Sequence, residues 1–425
     1  MADSMNWLAG VDWSRSTHQV CVVAAVSAAV IGERSFKHSG ADLAALCDWL
    51  LSVTGSTPAD IAVAIEVPHG PVVETLMDRG FAVYAINPKQ LDRFRDRFTL
   101  AGAKDDRLDA HVMADALRTD RHRLRWLQPT EAVVLELREW SRMGDELKEE
   151  RVRLTNRIGD QLWRYYPQAL KVTDDLAADW FLELWGLAPT PAKAARVAEK
   201  SVTRILAAHR IRRIDAAEAL RLLREKPIVV AAGTTEAASA HIGRLAKRLK
   251  LVNQQLKEVD SRLDDLSARL GPAKDDEAGQ KSEQRDVTIL RSLPGLGRTV
   301  AATLLSEASE PLRRRDYHAL RPLCGIAPVT RQSGKRKTVL MRQACHPRLR
   351  NAVYHWARVA IQHDETSRAK YTALRKRGKS HGHALRAVAD RLLAVACAML
   401  GTRTLFDPNR LSKRIAAQSE TAPNA

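Results

Sequence analysis

The sequence predicts an amino-terminal α/β domain, a long helical middle region and a mostly α-helical, basic carboxyl-terminal domain. Three observations support this division. Short β-rich runs alternate with amphipathic segments up to about residue 125, apolar residues then recur with a helical period, and positive charge accumulates between residues 281 and 350. The predicted segments are an α/β domain at 1–125, a coiled-coil and helical insert at 126–270, a linker at 271–286, a basic domain at 287–405 and a disordered tail at 406–425.

The amino-terminal domain begins with three β-rich runs, WLAGVDWS, HQVCVVAAV and VIGERSF, which predict a meander of three strands. An amphipathic helix is expected around Leu43 to Leu51. The apolar runs IAVAIEV and FAVYAIN follow as buried strands, and the segment between them predicts a helix that begins at Pro71 and ends near Arg79. The order β-β-β-α-β-α-β and then α indicates one mixed α/β domain.

The middle region has a different period. Apolar residues from Ile242 to Leu270 recur at alternating steps of three and four, as in a coiled-coil seam. Residues from Val133 to Ile158 keep a looser version of this spacing, interrupted at Gly144 and Arg151. Two long helices are therefore expected, which pair either with each other or with another copy of the chain. The Ala-rich and Leu-rich segment 167–240 between them predicts a helical insert with no identifiable chemistry.

The charge of the chain favours a polyanionic partner. Its 68 Lys or Arg and 50 Asp or Glu give a formal net charge of +18, which is typical of nucleic-acid-binding proteins. Fifteen basic and five acidic residues between Lys281 and Arg350 give a net of +10 there, so this segment is the predicted nucleic-acid surface. No apolar run long enough for a membrane span is present. The five separated cysteines and the lack of a signal peptide favour a reduced cytoplasm.

Four acidic residues, Asp12, Glu66, Asp106 and Asp109, form the predicted acid set. Asp12 lies in an apolar first strand, Glu66 ends the run IAVAIE, and the last two stand three apart on one face of a predicted helix. Acids at the carboxyl ends of strands gather at one sheet edge, so the set is expected to bind two Mg²⁺ ions acting at a phosphodiester. Taken alone, Asp12 and Glu66 are also typical of strand ends, and Asp106 and Asp109 are more typical of a solvated helix face. The order of all four favours a metal site, and Asp105 is a competing partner for Asp109.

The carboxyl-terminal region carries two further signals. LRSLPGLGRTVAATLLSE, residues 290–307, predicts a helix-hairpin-helix whose second helix offers backbone N–H groups to a phosphate. Ser333 follows in RQSGKRK, a predicted loop with cations on both sides. Such a serine can attack phosphorus while the cations stabilise the developing charge, but the residues alone favour an exposed loop serine in a phosphate-binding basic run. The residues expected to contact nucleic acid are Lys104, Arg298, Arg331, Lys335, Arg336, Lys337, Arg348 and Arg350.

The segments GVDWS, IEVPHG, INPKQLDRFR and AKDDRLDAHVMADALR resemble the amino-terminal domain of insertion sequence 110 family transposases, which carry an Asp-Glu-Asp-Asp signature on a RuvC-like, ribonuclease-H-like fold. The family pattern Lys-Thr-Asp-x-x-Asp aligns with KDDRLD and selects Asp106 over Asp105. RQSGKRK is similar to the family's Gln-Ser-Gly segment, which makes Ser333 the nucleophile. Cys345 and His346 stand where the family usually has glycine and asparagine.

This resemblance implies a DNA transposase that uses Mg²⁺ at the acid set and forms a covalent 5′-phosphoserine link at Ser333. It further implies donor and target DNA, a structured bridge RNA as guide, and a homodimer that assembles into a tetramer. Two alternatives stay open. One is a metal-dependent nuclease of the junction-resolvase type, in which Ser333 only contacts phosphate. The other is a non-catalytic scaffold whose helices bridge two duplexes.

Overall fold

The structure, a computed structural model, describes residues 5–99, 105–270, 286–334 and 336–407. Lys104, Lys335 and most of the predicted linker and tail lie outside the described residues. The chain forms two compact units, Met1–Thr130 and Glu131–Ala425, so the predicted helical middle and basic domain belong to one unit. In the part of the chain that the structure describes, no helix is both long enough and apolar enough to cross a membrane.

The first unit is an α/β domain with a six-stranded mixed sheet. Its elements are β1 (Trp7–Trp13), β2 (Thr17–Ala24), β3 (Val30–Lys37), α1 (Gly40–Thr54), β4 (Ile61–Ile65), α2 (Pro71–Asp78), β5 (Ala82–Ala85), α3 (Pro88–Arg95), α4 (Asp106–Asp120) and β6 (Arg125–Trp126). The strand order is β3-β2-β1-β4-β5-β6, in which β4 is parallel to β1 and to β5, and β1, β2 and β3 form an antiparallel meander. The predicted meander, the two buried strands and the helix at Pro71 are confirmed.

Alternation along β1 divides the core of this unit between the two faces of the sheet. Val11 packs on the face covered by α1 and α2, whereas Leu8 packs on the face covered by α4. Gly10 marks the closest approach of α4, because a Cβ there would lie 1.9 Å from the carbonyl oxygen of Ala110. Only glycine permits this approach, which brings α4 directly onto β1.

The second unit is mainly helical. Its elements are α5 (Ala132–Tyr165), α6 (Asp179–Leu187), α7 (Pro191–Ala194), α8 (Glu199–Ala208), α9 (Ala216–Leu223), α10 (Thr234–Arg269), α11 (Asp286–Ser292), α12 (Arg298–Glu307), α13 (Ser309–Arg313), α14 (Tyr317–Leu323), β7 (Val329–Ser333), β8 (Arg336–Leu340), α15 (Pro347–His363), α16 (Glu365–Lys376) and α17 (His381–Thr402).

The two long helices, α5 and α10, pack against each other within the chain. Leu137, near the start of α5, shares a core with Val259 in the second half of α10. Leu162, near the end of α5, shares another core with Ile242 in the first half of α10. The pair is therefore antiparallel, and its apolar seam is buried inside this unit. The sequence alone did not decide whether the two helices pair with each other or with another copy of the chain. In the structure they pair with each other.

Two short helices, α11 and α12, lie where the sequence predicts a helix-hairpin-helix, and the assignment to that motif stays a prediction. The turn between them contains Gly295 at φ +75°, a left-handed conformation that favours glycine. A Cβ on Gly295 would lie 2.6 Å from the backbone nitrogen of Ala360, so α15 crosses this turn at close range. Trp356 of α15 donates a hydrogen bond to the carbonyl oxygen of Pro294 at 3.0 Å and fixes the crossing.

Candidate active site and nucleic-acid interface

Two members of the acid set emerge at one edge of the sheet. Val11 of β1 pairs with Ile65 of β4 in a parallel ladder, and the next residues along the two strands are Asp12 and Glu66. Neighbouring strands lie about 4.8 Å apart, so the register brings these two acids to the same carboxyl-terminal edge. Both are half-buried. The apolar strands that precede them fix this arrangement, as the sequence predicts.

The other acids lie at the start of α4. Asp105 is the N-cap of this helix, and its side chain accepts a hydrogen bond from the backbone nitrogen of Arg107 at 3.3 Å. Asp106 is the first residue of the helix and is exposed. Asp105 therefore acts as a helix cap in this structure, and the choice of Asp106 rather than Asp105 as the partner of Asp109 stays a prediction.

Asp109 is held by an arginine. It is 1% exposed, and its two carboxylate oxygens accept hydrogen bonds from Arg95 Nε at 2.6 Å and Nη2 at 2.9 Å. The hydrogen bonds that Arg95 donates to Asp109 raise the pKa of the Arg95 guanidinium, against the opposite effect of burial. Arg95 also contacts Asp92 at 3.0 Å within α3. Sequence analysis missed this bidentate pair, which joins α3 to α4.

The fit of the acid set to a metal ion is partial. Carboxylate oxygens are the ligands that Mg²⁺ prefers, so the donor chemistry fits. Among the described residues, however, no group of three or more His, Cys, Asp or Glu is arranged to hold a metal ion. Asp12 and Glu66 share an edge, while Asp109 is bound by Arg95. Convergence of all four acids stays a prediction.

Ser333 lies at the tip of a β-hairpin, where the sequence had predicted a loop. It ends β7 and pairs with Arg336, the first residue of β8. Gly334, which follows Ser333, takes φ +54°, a conformation typical of tight hairpin turns. The local sequence signal is weak, because the β-branched residues Val329, Thr330, Thr338 and Val339 are separated from Gly334 by charged and polar residues. Ser333 is exposed, as are the three hairpin cations Arg331, Arg336 and Lys337, which form no ion pair among the described residues.

Two of the predicted nucleic-acid contacts, Arg298 and Arg348, form ion pairs inside the second unit. Arg298 reaches Asp264 at 2.6 Å and Asp260 at 3.2 Å, both on α10. Arg348 pairs with Glu307 and lies 2.8 Å from Asp145 of α5. These contacts join α12 and α15 to the long helices. Arg350 is half-buried at the start of α15.

Glu307 is the centre of a buried charge cluster. Its side chain is 5% exposed and contacts Arg142 at 3.0 Å, Arg348, Arg138 at 3.9 Å and His346 at 3.5 Å. Burial by itself raises the pKa of Glu307, but the hydrogen bonds and charges of Arg142, with those of its other partners, outweigh burial and lower the pKa. Burial also lowers the pKa of His346. We call these five residues the Glu307 cluster.

A further basic surface lies at the turn between α16 and α17. Residues 366–389 contain seven Lys or Arg and no Asp or Glu. Within this segment we call residues 375–386 the basic turn; its exposed cations are Arg375, Lys376, Arg377 and Lys379. Arg386 donates a hydrogen bond to Met341 Sδ at 3.3 Å, which links the turn to the segment after β8. The sequence shows this charge run plainly, but the charge count that predicted the nucleic-acid surface ended at Arg350.

Known proteins share this organisation of sequence. A family profile described as Transposase matches residues 9–167, and another described as Transposase IS116/IS110/IS902 family matches residues 287–372. The first match contains the acid set, and the second contains Ser333 and the hairpin cations.

Relatives in two bacteria extend the comparison. A Sinorhizobium fredii protein named as transposase y4uE is 54% identical over 224 residues, which cover 52% of this chain but only 62% of that protein. A Streptomyces coelicolor protein named as the mini-circle transposase for IS117 is 30% identical over 415 residues, covering 96% of this chain and 97% of that protein. A 43.6 kDa protein of insertion element IS110, also from Streptomyces coelicolor, is 30% identical over 317 residues, or 72% of each chain. On these matches, the chain belongs to the IS110 family of transposases.

Proposed function

We propose that this chain cleaves and rejoins DNA as the recombinase of an insertion sequence, with Ser333 as nucleophile and the acid set as its metal-binding partner. The observation that carries the proposal is the position of Ser333 at the tip of an exposed hairpin, flanked by cations. A serine there meets a phosphodiester without any rearrangement of the core. The strand order β3-β2-β1-β4-β5, with acids at the carboxyl ends of β1 and β4, supports a RuvC-like, ribonuclease-H-like fold for the first unit.

The proposed chemistry is transesterification at phosphorus. Ser333 Oγ attacks the phosphodiester, forms a bond to the 5′-phosphate and loses its proton, while the 3′-oxygen leaves and gains a proton. Arg336 pairs with Ser333 across the hairpin, and Arg331 lies two residues before it on the same strand. Their charges stabilise the negative charge that develops on the phosphoryl oxygens. Attack of a second strand's 3′-hydroxyl on the phosphoserine reverses these bond changes, so strands are exchanged without an external energy source.

The acid set is proposed to assist that reaction. Asp12, Glu66, Asp106 and Asp109 would hold Mg²⁺, which when bound supplies neutralisation of phosphoryl charge and orientation of the reacting oxygen. Arg95 neutralises Asp109 in the conformation described, so the guanidinium and a metal ion compete for one carboxylate. The acids lie in one compact unit and Ser333 in the other, and the proposal requires both to act on one phosphodiester.

The partners are proposed from charge and family. The hairpin cations and the basic turn offer phosphate contacts, which position a duplex but do not read its sequence. Choice of donor and target DNA is therefore assigned to a structured bridge RNA, with a homodimer that pairs into a tetramer as the active assembly. The proposed compartment is the cytoplasm.

The proposal is tested in cells that express the gene with its native flanking DNA. Protein–DNA adducts are trapped under denaturing conditions for the native chain, Ser333→Ala, Asp106→Ala and Thr330→Ala. Thr330 is an exposed hydroxyl on the same hairpin and serves as the matched control. We expect adducts with the native chain and with Thr330→Ala, and none with the other two variants.

Other outcomes select the alternatives. Cut DNA without an adduct in any sample identifies a metal-dependent nuclease in which Ser333 is only a phosphate contact. Binding without cutting, unchanged in Asp106→Ala, identifies a scaffold. An adduct that persists in Ser333→Ala places the nucleophile elsewhere and contradicts the proposal.

A further inference from the structure

A cleft of about 310 Å³ opens at the same sheet edge as Asp12 and Glu66. It lies between the β1–β2 turn, the end of β3 and the segment that leads from β4 into α2, and its lining includes Trp13, Arg15, His38, Ile65, His69 and Pro71. Its volume is at the lower end of the range for small-ligand sites, about 300–1,000 Å³, and is enough for one nucleotide rather than a duplex.

The cleft and the two acids are neighbours along the chain. Trp13 directly follows Asp12, and Val67, which also lines the cleft, directly follows Glu66. Because side chains alternate along a strand, Asp12 and Trp13 project to opposite faces of the sheet from α-carbons about 3.8 Å apart. A DNA strand with one phosphate at the acids therefore has its adjoining nucleotide within reach of the cleft.

The lining suits a base and a phosphate. Trp13 is a large aromatic side chain that stays 40% exposed at the end of a strand, so one part of its indole surface is open for stacking. Ile65, Pro71 and Val72 add an apolar wall. Arg15 is exposed and supplies positive charge at the mouth. Aromatic stacking combined with a neighbouring cation is the general mode by which proteins bind unpaired nucleotides.

A pair of histidines, His18 buried and His38 exposed, orients one more polar group at the cleft. His18 is fully buried, its Nε2 lies 2.9 Å from Nδ1 of His38, and its Nδ1 has no hydrogen-bond partner in the described structure. A buried N–H without a partner is rarer and costlier than a buried lone pair, so the proton of His18 belongs on Nε2. His18 then donates to His38 Nδ1, which leaves the Nε2 of His38 as the nitrogen that carries a proton. His38 thus brings a hydrogen-bond donor to the wall of the cleft.

We propose that this cleft binds one unstacked nucleotide of the DNA strand, next to the phosphodiester at the acid set, with Trp13 stacking on the base. Arg15 and His38 contact its phosphate and base oxygens as cation and donor. The position of that nucleotide beside the cleaved bond rests on the proposed function, whereas its binding in the cleft does not. Trp13 is accordingly a positioning residue, because it holds the strand and takes no part in bond formation.

Photo-cross-linking of the full-length chain tests the cleft. A single-stranded thymidine oligonucleotide carrying one 5-iodo-2′-deoxyuridine is mixed with the protein in EDTA and irradiated, and the cross-linked peptides are identified by mass spectrometry. We expect a cross-link at Trp13, with a yield that falls about tenfold or more in Trp13→Ala and much less in Trp13→Phe. Trp163, which is 70% exposed on α5, gives the control variant Trp163→Ala, for which the Trp13 cross-link is retained.

Cross-links confined to the second unit, or an unchanged yield in Trp13→Ala with cross-links elsewhere in the first unit, overturn the proposal. Equal or stronger cross-linking of Trp13 to a uridine RNA carrying 5-iodouridine overturns the assignment to DNA. Because the assay is run without divalent ions, it is independent of catalysis. If Trp13 cross-links but the chain forms no Ser333 adduct, nucleotide binding in the cleft is supported and the recombinase proposal is rejected. If Ser333 forms an adduct but Trp13 does not cross-link, only the cleft proposal is rejected.

Discussion

The second unit contains two kinds of basic residue that the sequence does not separate. The hairpin cations are exposed and form no ion pair among the described residues, whereas Arg142 and Arg348 surround a glutamate that is 5% exposed. Both kinds lie in arginine-rich stretches and contribute equally to net charge. The carboxylates that fold around them make the difference, because α12 supplies Glu307 to one set and no described acid pairs with the other. We infer that the buried set holds helices together and the exposed set binds phosphate.

The largest expected effect is a loss of folding stability when the buried set is disrupted. Glu307→Gln leaves Arg142 and Arg348 without their buried counter-charge, and breaking a buried pair in this way costs about 3–5 kcal/mol. The free energy of unfolding of the full chain, measured in denaturant, should fall by that amount. Glu310→Gln is the control, since its pair with Arg314 is partly exposed and is worth about 1 kcal/mol or less. Equal effects of the two substitutions would show that the Glu307 cluster is not a structural centre.

The same cluster predicts acid sensitivity. The pKa of Glu307 and that of His346 are both lowered in the folded chain, so in each case the unfolded chain binds protons more readily. The contribution of His346 to stability is present above its ordinary pKa of 6.5 and is lost as the pH falls below that value. The contribution of Glu307 is present above its ordinary pKa of 4.5 and is lost as the pH falls below that value. Unfolding curves across this range should show stability declining toward acid, with the lower part of the decline reduced in Glu307→Gln. A flat profile in the native chain would contradict the cluster's role.

The exposed set should act on binding rather than stability. Replacing Arg331, Arg336 and Lys337 with Ala removes three charges that have no ion pair in the described structure, so the fold should be unaffected. If each contacts a phosphate, the slope of log affinity for duplex DNA against log salt concentration falls by about 2.7, and affinity at low salt falls roughly tenfold or more. Fluorescence anisotropy over a salt series measures both. An unchanged slope would mean that these cations do not face the DNA backbone.

Substitution of Arg298 should have the smallest effect on both stability and DNA binding, in contrast to the hairpin cations. Its pairs with Asp260 and Asp264 are partly exposed, so Arg298→Ala should cost about 1 kcal/mol or less of unfolding free energy. Because its charge is already paired, the salt slope of DNA binding should stay within experimental error of the native value. A fall of about 1 in that slope would instead restore Arg298 to the nucleic-acid surface.

The sequence predicts the part of this molecule that is governed by apolar periodicity. The runs IAVAIEV and WLAGVDWS are buried strands, and their register alone brings Asp12 beside Glu66. The seam of α10 is likewise predicted from its spacing, although its partner is not. These features depend on burial, and buried apolar positions recur in the sequence with the period of the strand or helix.

What the sequence does not predict depends on polar contacts between distant elements. The β7–β8 hairpin shows no buried face, so no apolar alternation marks its strands. The Arg95–Asp109 pair joins two helices, and nothing in the local pattern of either residue specifies the other. The engagement of Arg298 and Arg348 also requires acids from α5 and α10, more than thirty residues away in each case. Charge counts alone therefore do not separate exposed cations from cations that are paired within the fold.

The most direct test of the account is to identify the residue that carries DNA. Adducts formed by the native chain in cells with its flanking DNA would be digested with nuclease and protease, and the modified peptide sequenced by mass spectrometry. The account predicts a nucleotide linked through its 5′-phosphate to Ser333, with the peptide unmodified in Asp106→Ala. A nucleotide on any other residue, or strand cleavage with every peptide unmodified, would contradict it.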